Sequence, residues 1–184
     1  MKILLSFAIP EEVVEISFPK HDTYSIITGI GKTLATMHLT EAIIEYKPDY
    51  VINIGTAGTL RHQVGDIFVC QEFIDRDLRN TQIPGIKYHI KDKYPLPPFL
   101  CFNKKLKFGI VNTGDNFVTK EENIVGDVVD MEAFSEATVC RKFNIPFVSV
   151  KYVTDVIGKN SIAEWEAKLV SARNSFSSFF NSNK

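Results

Sequence analysis

Short aliphatic and β-branched runs alternate along the chain with longer segments of helical period, and this alternation restricts the possible folds more than any other feature. The extended runs are Ile3 to Ile9, Tyr24 to Thr28, Tyr50 to Ile54, a stretch through Ile67, Val69 and Phe73, Lys107 to Asn112, and Pro146 to Val153. Between and after them lie helical stripes: Ala35, Leu39, Ala42, Ile43 and Tyr46, then Ala133, Ala137 and Cys140, then Trp165, Leu169, Ala172 and Phe176. Interleaving of this kind predicts an α/β fold rather than separate all-α and all-β halves. Pro10 with Glu11 and Glu12 behind it reads as a helix N-terminus, where proline fits the first position and acidic side chains meet the positive end of the dipole. Gly55-Thr56-Ala57-Gly58 reads as a loop of small residues, and the proline-rich stretch from Ile83 to Pro98 as a long excursion. No repeat or linker divides the sequence, so one domain over residues 1–184 is expected.

Composition removes several function classes. Among 184 residues, 21 Lys and Arg stand against 22 Asp and Glu, leaving no basic excess to neutralise a nucleic acid backbone. The longest apolar run is far short of the ~20 residues that span a bilayer. Lys2 followed by Glu11 and Glu12 does not read as a cleaved signal peptide, so a cytoplasmic protein is expected, with no nucleic acid and no membrane partner. Cys70, Cys101 and Cys140 are odd in number, far apart and without a C-x-x-C, and read as packing residues. His21, His38, His62 and His89 show no ligand spacing, so neither a metal nor another cofactor is expected.

Gly31-Lys32-Thr33 sits between a strand and a helix, as in a phosphate-binding P-loop. The spacing excludes that reading. G-x-x-x-x-G-K-T needs glycine at position 26, which is Ile26, and G-x-G-x-x-G needs one at position 34, which is Leu34. The glycines instead allow a tight turn whose backbone approaches another group closely.

Four regions carry chemistry when taken together and in order. They are Ala8-Ile9-Pro10-Glu11-Glu12-Val13; Gly29-Ile30-Gly31-Lys32; Val51 to Gly58 with Val64-Gly65-Asp66-Ile67; and Thr113 to Val118 with Val129 to Ala133 and Val148 to Asp155. With these segments the sequence resembles the purine nucleoside phosphorylase and uridine phosphorylase superfamily. It is most similar to the hydrolytic branch, the 5′-methylthioadenosine/S-adenosylhomocysteine nucleosidases. The resemblance implies a three-layer fold, a central mixed, strongly twisted sheet flanked by helices on both faces. It also implies cleavage of the N-glycosidic bond of a purine nucleoside, which needs an acid for the leaving base, hydrogen bonds to the ribose and a positioned water.

The family roles transfer residue by residue. Asp155 would protonate the adenine N7, Glu132 would accept the ribose 2′- and 3′-hydroxyls, and Glu12 would be the base for water, with its neighbour Glu11 the competitor. Without the resemblance, Asp155 reads as the cap of a turn toward Gly158 and Glu132 as a first-turn acid. Thr56, with Ala57 and Gly58, falls at the family's water or phosphate site. Phe117 and Val118 fall where an aromatic ring stacks on the base and backbone groups meet its edge, Met131 where the sugar is lined, and Ile30 and Thr154 at further substrate positions. Gln82-Ile83-Pro84-Gly85 resembles a loop that covers the 5′-alkylthio group across a dimer interface, so Ile83 and Pro84 imply a homodimer.

The segment Ile52-Asn53-Ile54-Gly55 lacks the arginine that phosphorylases place before this glycine, which points to water as the acceptor. The match departs from the family in the trimmed stretches between Val14 and Ile26 and between Phe117 and Asp130, and in Lys151 where nucleosidases usually carry Arg. A phosphate-dependent phosphorylase and an inactive nucleoside-binding relative therefore stay open as alternatives.

Overall fold

Ile3, Leu5 and Phe7 face one side of the first strand and Leu4 and Ser6 the other, and all five are fully buried. A strand apolar on both faces belongs in the middle of a sheet covered on both sides. In the structure, a computed structural model describing residues 1–100, 106–120, 124–158 and 161–181, it does. The elements run β1 (Lys2–Phe7), β2 (Asp22–Ile27), α1 (Lys32–Tyr46), β3 (Tyr50–Thr59), β4 (Ile67–Asp75), α2 (Arg76–Asn80), β5 (His89–Lys91), β6 (Lys107–Thr113), β7 (Val128–Asp130), α3 (Ala133–Phe143), β8 (Phe147–Val156) and α4 (Ser161–Asn181). One-turn 3-10 helices stand at Pro10–Glu12 and Pro98–Leu100.

The sheet is mixed. β2, β1, β3 and β8 are parallel neighbours in that order, while β8 pairs antiparallel with β4. β4 then pairs with β6, β6 with β7, and β7 returns to β3 through the Gly58–Val129 pair. Five strands thus close on themselves, which requires the strong twist expected of the sheet. Helices α1 and α3 cover one face, where Leu39, Ile43, Phe134 and Ala137 meet Leu4, Val51 and Phe147. On the other face Ala172, Phe176 and Phe180 of α4 meet Ile52, Val148 and Val150. Among the described residues no helix is long and apolar enough to cross a membrane.

Two local expectations are corrected. The helix expected from Pro10 stops after one turn. Residues 13–18 alternate exposed and buried, with Val14, Ile16 and Phe18 inward, and this period of two with β-branched residues favours extended chain over helix. Gly55-Thr56-Ala57-Gly58 is not a loop but the continuation of β3. Its small residues allow close approach: a Cβ on Gly55 would stand 3.3 Å from a Glu12 carboxylate oxygen and 3.4 Å from the Lys151 ammonium. Of the cysteines, Cys70 and Cys140 are buried and free, while Cys101 lies outside the described residues.

One polar row crosses the core. Ser6, Asn53 and Ser149 are register partners on β1, β3 and β8, and all three face Glu136 of α3 or one another. Ser6 Oγ donates to Glu136 Oε2, Asn53 Nδ2 donates to Glu136 Oε1 at 3.3 Å, and Ser149 Oγ donates to Asn53 Oδ1 at 2.7 Å. Burial pushes the Glu136 carboxyl from 4.5 up to about 7. An acid with a raised value in the folded state favours folding while protonated, so its contribution is complete below about pH 4.5 and is lost as pH rises through 7. Glu136→Gln cannot ionise and escapes that loss. Its melting temperature relative to wild type is expected to be higher at pH 8 than at pH 5 by at least ~2–4 °C, equivalent to about 1 kcal/mol at this chain length. Thermal unfolding followed by circular dichroism at the two pH values checks this.

Candidate active site

A cavity of about 310 Å³ opens where β1, β3 and β8 end, the carboxyl edge at which open α/β sheets hold ligands. Each charged group on its wall is brought there by a local feature. Pro10 starts the single 3-10 turn that carries Glu12 inward, leaving the residue 4% exposed. Glu12 Oε1 accepts two bonds from Thr56, from N at 2.7 Å and from Oγ1 at 2.6 Å. Glu12 Oε2 is buried with no hydrogen-bond partner among the described residues. Burial raises the proton affinity of Glu12, and the Thr56 bonds, the Lys151 charge and the backbone N–H of Ala8 oppose it.

Glu132 stands immediately before α3 and is held by the glycine turn. Gly31, at φ 91°, donates its N–H to Glu132 Oε1 at 2.8 Å, a conformation that glycine adopts without strain. Burial first, then the neighbouring Asp130 carboxylate, push the Glu132 carboxyl well above the ordinary range. Below the two lies a buried ion pair. Lys151 Nζ meets Asp130 Oδ2 at 2.9 Å, with the side chains 2% and 1% exposed. Asp130 also accepts from Thr113 Oγ1 at 2.6 Å and from the Ala133 N–H at 2.9 Å.

Asp155 reaches the cavity through an irregularity. Ala57 pairs with Val153 but Gly58 pairs with Asp155, so Thr154 is an extra residue in β8. Such a bulge re-aims the side chains that follow it. Asp155 takes the place beside Gly58 that regular pairing would give Thr154, and a Cβ on Gly58 would stand 3.1 Å from Asp155 Oδ2. Thr154 does not line the cavity. It is fully buried behind Asp155, with Oγ1 2.9 Å from Asp155 Oδ1.

Ile30, Ala57, Phe117, Val118 and Met131 form an apolar wall together with Val129 and Ile157. Ile83 and Pro84 lie elsewhere, in a separate depression with Arg79 and Tyr88. Two contributors carried no sequence signal of a site. Trp165, which periodicity assigns to a core stripe, lines the cavity and packs edge-on to Phe117 with ring centroids 6.3 Å apart. Arg76 is buried below the loop that carries Phe117, and its fork donates to the carbonyls of Asn112, Asp130 and Gly114. An arginine in a short polar run gives no hint of this.

At the Gly31-Lys32 turn the donors that would hold a nucleotide phosphate are already bonded to carboxylates. The Lys32 N–H donates to Asp115 Oδ1 at 2.7 Å, and its ammonium pairs with Asp75 at 3.0 Å and Asp77 at 2.7 Å. Among the described residues no arginine lines the cavity. Three buried carboxyls beside an apolar wall can exchange protons with a flat, neutral ligand and bond its hydroxyls, and an anion would meet no arginine fork on the wall.

Comparison with known proteins agrees with this geometry. A family model described as the phosphorylase superfamily matches residues 12–181. A 5′-methylthioadenosine/S-adenosylhomocysteine nucleosidase of Buchnera aphidicola from Schizaphis graminum is 32% identical over 177 residues, covering 83% of this chain and 74% of that protein. The fold is similar to the nucleosidase of that name from Helicobacter pylori solved with butyl-thio-DADMe-Immucillin-A, at TM-score 0.85 and 21% identity over 98% of this chain and 96% of the other. It is also similar to the nucleosidase of Colwellia psychrerythraea in complex with adenine, at TM-score 0.79 and 25% identity over 97% and 92%.

The ion pair below the cavity has a consequence for stability that needs no ligand. Lys151→Met leaves the Asp130 carboxylate buried without its counter-charge and is expected to destabilise the fold by roughly 3–5 kcal/mol. Adding Asp130→Asn removes the stranded charge and should recover part of the loss, as read by urea unfolding of the single and double variants.

Proposed function

The chain belongs to the phosphorylase superfamily, and from that premise we propose that the protein hydrolyses the N-glycosidic bond of a purine nucleoside, best an adenine nucleoside with an apolar 5′-thio substituent. The observation that carries the reading is the convergence of Glu12, Glu132 and Asp155 on one cavity whose described wall holds no arginine. A phosphorylase needs a guanidinium fork for its anion, whereas water needs only a base. The names of the relatives, nucleosidases acting on 5′-methylthioadenosine and S-adenosylhomocysteine, support the same choice.

In this mechanism the C1′–N9 bond breaks with its electron pair leaving on the base, and Asp155 supplies the proton to N7 so that a neutral purine departs. Glu132 accepts hydrogen bonds from the ribose 2′- and 3′-hydroxyls, and these strengthen as the sugar gains positive charge. Glu12 takes the proton of the water that attacks C1′. The unpartnered Oε2 suits that task, since Oε1 is already occupied by Thr56. Phe117 stacks on the base, the Val118 backbone meets its edge, and Met131 and Ile30 bound the sugar and its substituent. Lys151, where an arginine is usual, keeps a positive charge under the reaction centre.

Two further readings complete the proposal. The protein acts in the cytoplasm. It works as a homodimer, in which Ile83 and Pro84 cover the 5′ substituent of the neighbouring subunit; Ile83 is 57% exposed and away from its own cavity, which supports a role toward a second chain. The exposed apolar residues Leu34, Met37 and Ile44 of α1 offer further surface for such contact.

Purified protein is expected to release adenine from 5′-methylthioadenosine in phosphate-free buffer at a rate that added phosphate does not raise. Asp155→Asn and Glu12→Gln should each lower kcat by roughly 10²- to 10⁴-fold with nucleoside binding largely retained. Glu12 must be ionised to act, so the rate should rise with pH through an acid limb above the ordinary glutamate value of 4.5. Strict dependence on phosphate would overturn the hydrolytic reading. Sedimentation equilibrium at micromolar concentration should give twice the chain mass, and a monomer there would remove the intersubunit role of Ile83 and Pro84.

A further inference from the structure

The sequence contains a single tryptophan, and it stands next to the residue proposed as base. Trp165 Nε1 lies 2.9 Å from Thr56 Oγ1, and the same Oγ1 lies 2.6 Å from Glu12 Oε1. The direction of this chain is fixed by chemistry. An indole N–H can only donate, so Thr56 Oγ1 accepts from it, and the one hydroxyl proton of Thr56 is then available to Glu12. We propose that Trp165 is a positioning residue for Glu12, holding the Thr56 hydroxyl as a donor to Oε1 and so leaving Oε2 as the oxygen that takes up a proton.

Two observations outside the chain of bonds support this. The Thr56 N–H also donates to Oε1 at 2.7 Å, so that oxygen accepts twice and Oε2, which accepts nothing from the described residues, is where a proton is taken up. The indole is in addition packed edge-on against Phe117, with ring centroids 6.3 Å apart. Donation from the indole polarises the threonine O–H, and a stronger bond to the carboxylate favours its ionised form. The charged groups facing Glu12 are the Lys151 ammonium on β8 and the Glu132 carboxyl before α3. From α4, Arg173 donates to the Glu11 carbonyl beside Glu12, and the contact of α4 with the Glu12 carboxyl itself runs through Trp165 and Thr56.

The inference rests on the hydrolytic reading for its kinetic arm only. Trp165→Phe keeps an aromatic ring beside Phe117 but has no N–H. It should lower kcat/KM near neutral pH about three- to tenfold, the size of one neutral hydrogen bond. It should also move the acid limb of the pH profile upward. Thr56→Val should move the limb in the same direction, and the double variant no further than Thr56→Val alone. Additive displacements, or an unmoved limb in Trp165→Phe, would overturn the proposal.

A second arm needs no turnover. Fluorescence excited at the red edge of indole absorption reports on Trp165 alone and should follow the titration of Glu12 in wild type, and the pH step should vanish in both Glu12→Gln and Thr56→Val. A step that persists in Glu12→Gln means that the indole senses another group, and the positioning role is then wrong whatever reaction the protein catalyses. A protein that releases no base but loses the step in both variants would keep this link while removing the hydrolytic reading.

Discussion

Lys151 carries its charge behind the cavity wall with only 1% of the residue exposed, and the arrangement around it is governed by the need to compensate that charge. Its partner Asp130 is itself fixed by Thr113 and by the first N–H of α3, so the ion pair joins β8, β6, β7 and the start of α3 at one point. A buried pair gains little over apolar packing, but losing either member is costly, and such a pair therefore holds the elements that supply it in one arrangement. The same ammonium lowers the proton affinity of Glu12 and Glu132, both of which burial alone raises. The reactive carboxyls and the stability of the sheet therefore depend on one side chain.

The cavity follows from two departures from regular sheet geometry. Gly55 and Gly58 leave out the Cβ atoms that would otherwise press on Glu12, Lys151 and Asp155, so carboxyls can lie flat against the strand. The extra residue Thr154 then shifts Asp155 beside Gly58. Opposite them, α4 lies across the sheet face, and its first turns overhang the strand ends. Trp165, on the same side as Ala172 and Phe176, extends past the sheet and meets the cavity instead of the core.

Much of this was legible in the residues. Alternating strand and helix periods predicted the layers, and the buried stripe of α1 is Ala35, Leu39, Ala42 and Ile43 as its spacing implies. Glu12, Glu132, Asp155, Thr56, Phe117 and Met131, assigned by resemblance, all line one cavity. Other features were hidden for identifiable reasons. Pro10-Glu11-Glu12 carries a helix-start signal, but the alternating contacts of Val14, Ile16 and Phe18 outweigh it within one turn. A run of glycine, threonine and alanine looks like a loop because strand propensity is weak there, yet continuous pairing with β8, and the pair of Gly58 with Val129 of β7, keep it in the sheet.

The order of apolar and polar residues determined by itself that the chain forms a layered α/β sheet, because short continuous apolar runs mark strands covered on both faces, a 3.6-residue stripe marks helices, and both signals are written locally. The glycines determined where the backbone turns tightly or comes close. Tertiary structure decided which acids share a cavity, that Lys151 pairs with Asp130, and that Trp165 bonds Thr56 across 109 positions of sequence. It also decided that Thr154 is the extra residue behind Asp155. These are relations between strand register and helix overhang, and they depend on how distant segments close around one another, which no local pattern encodes.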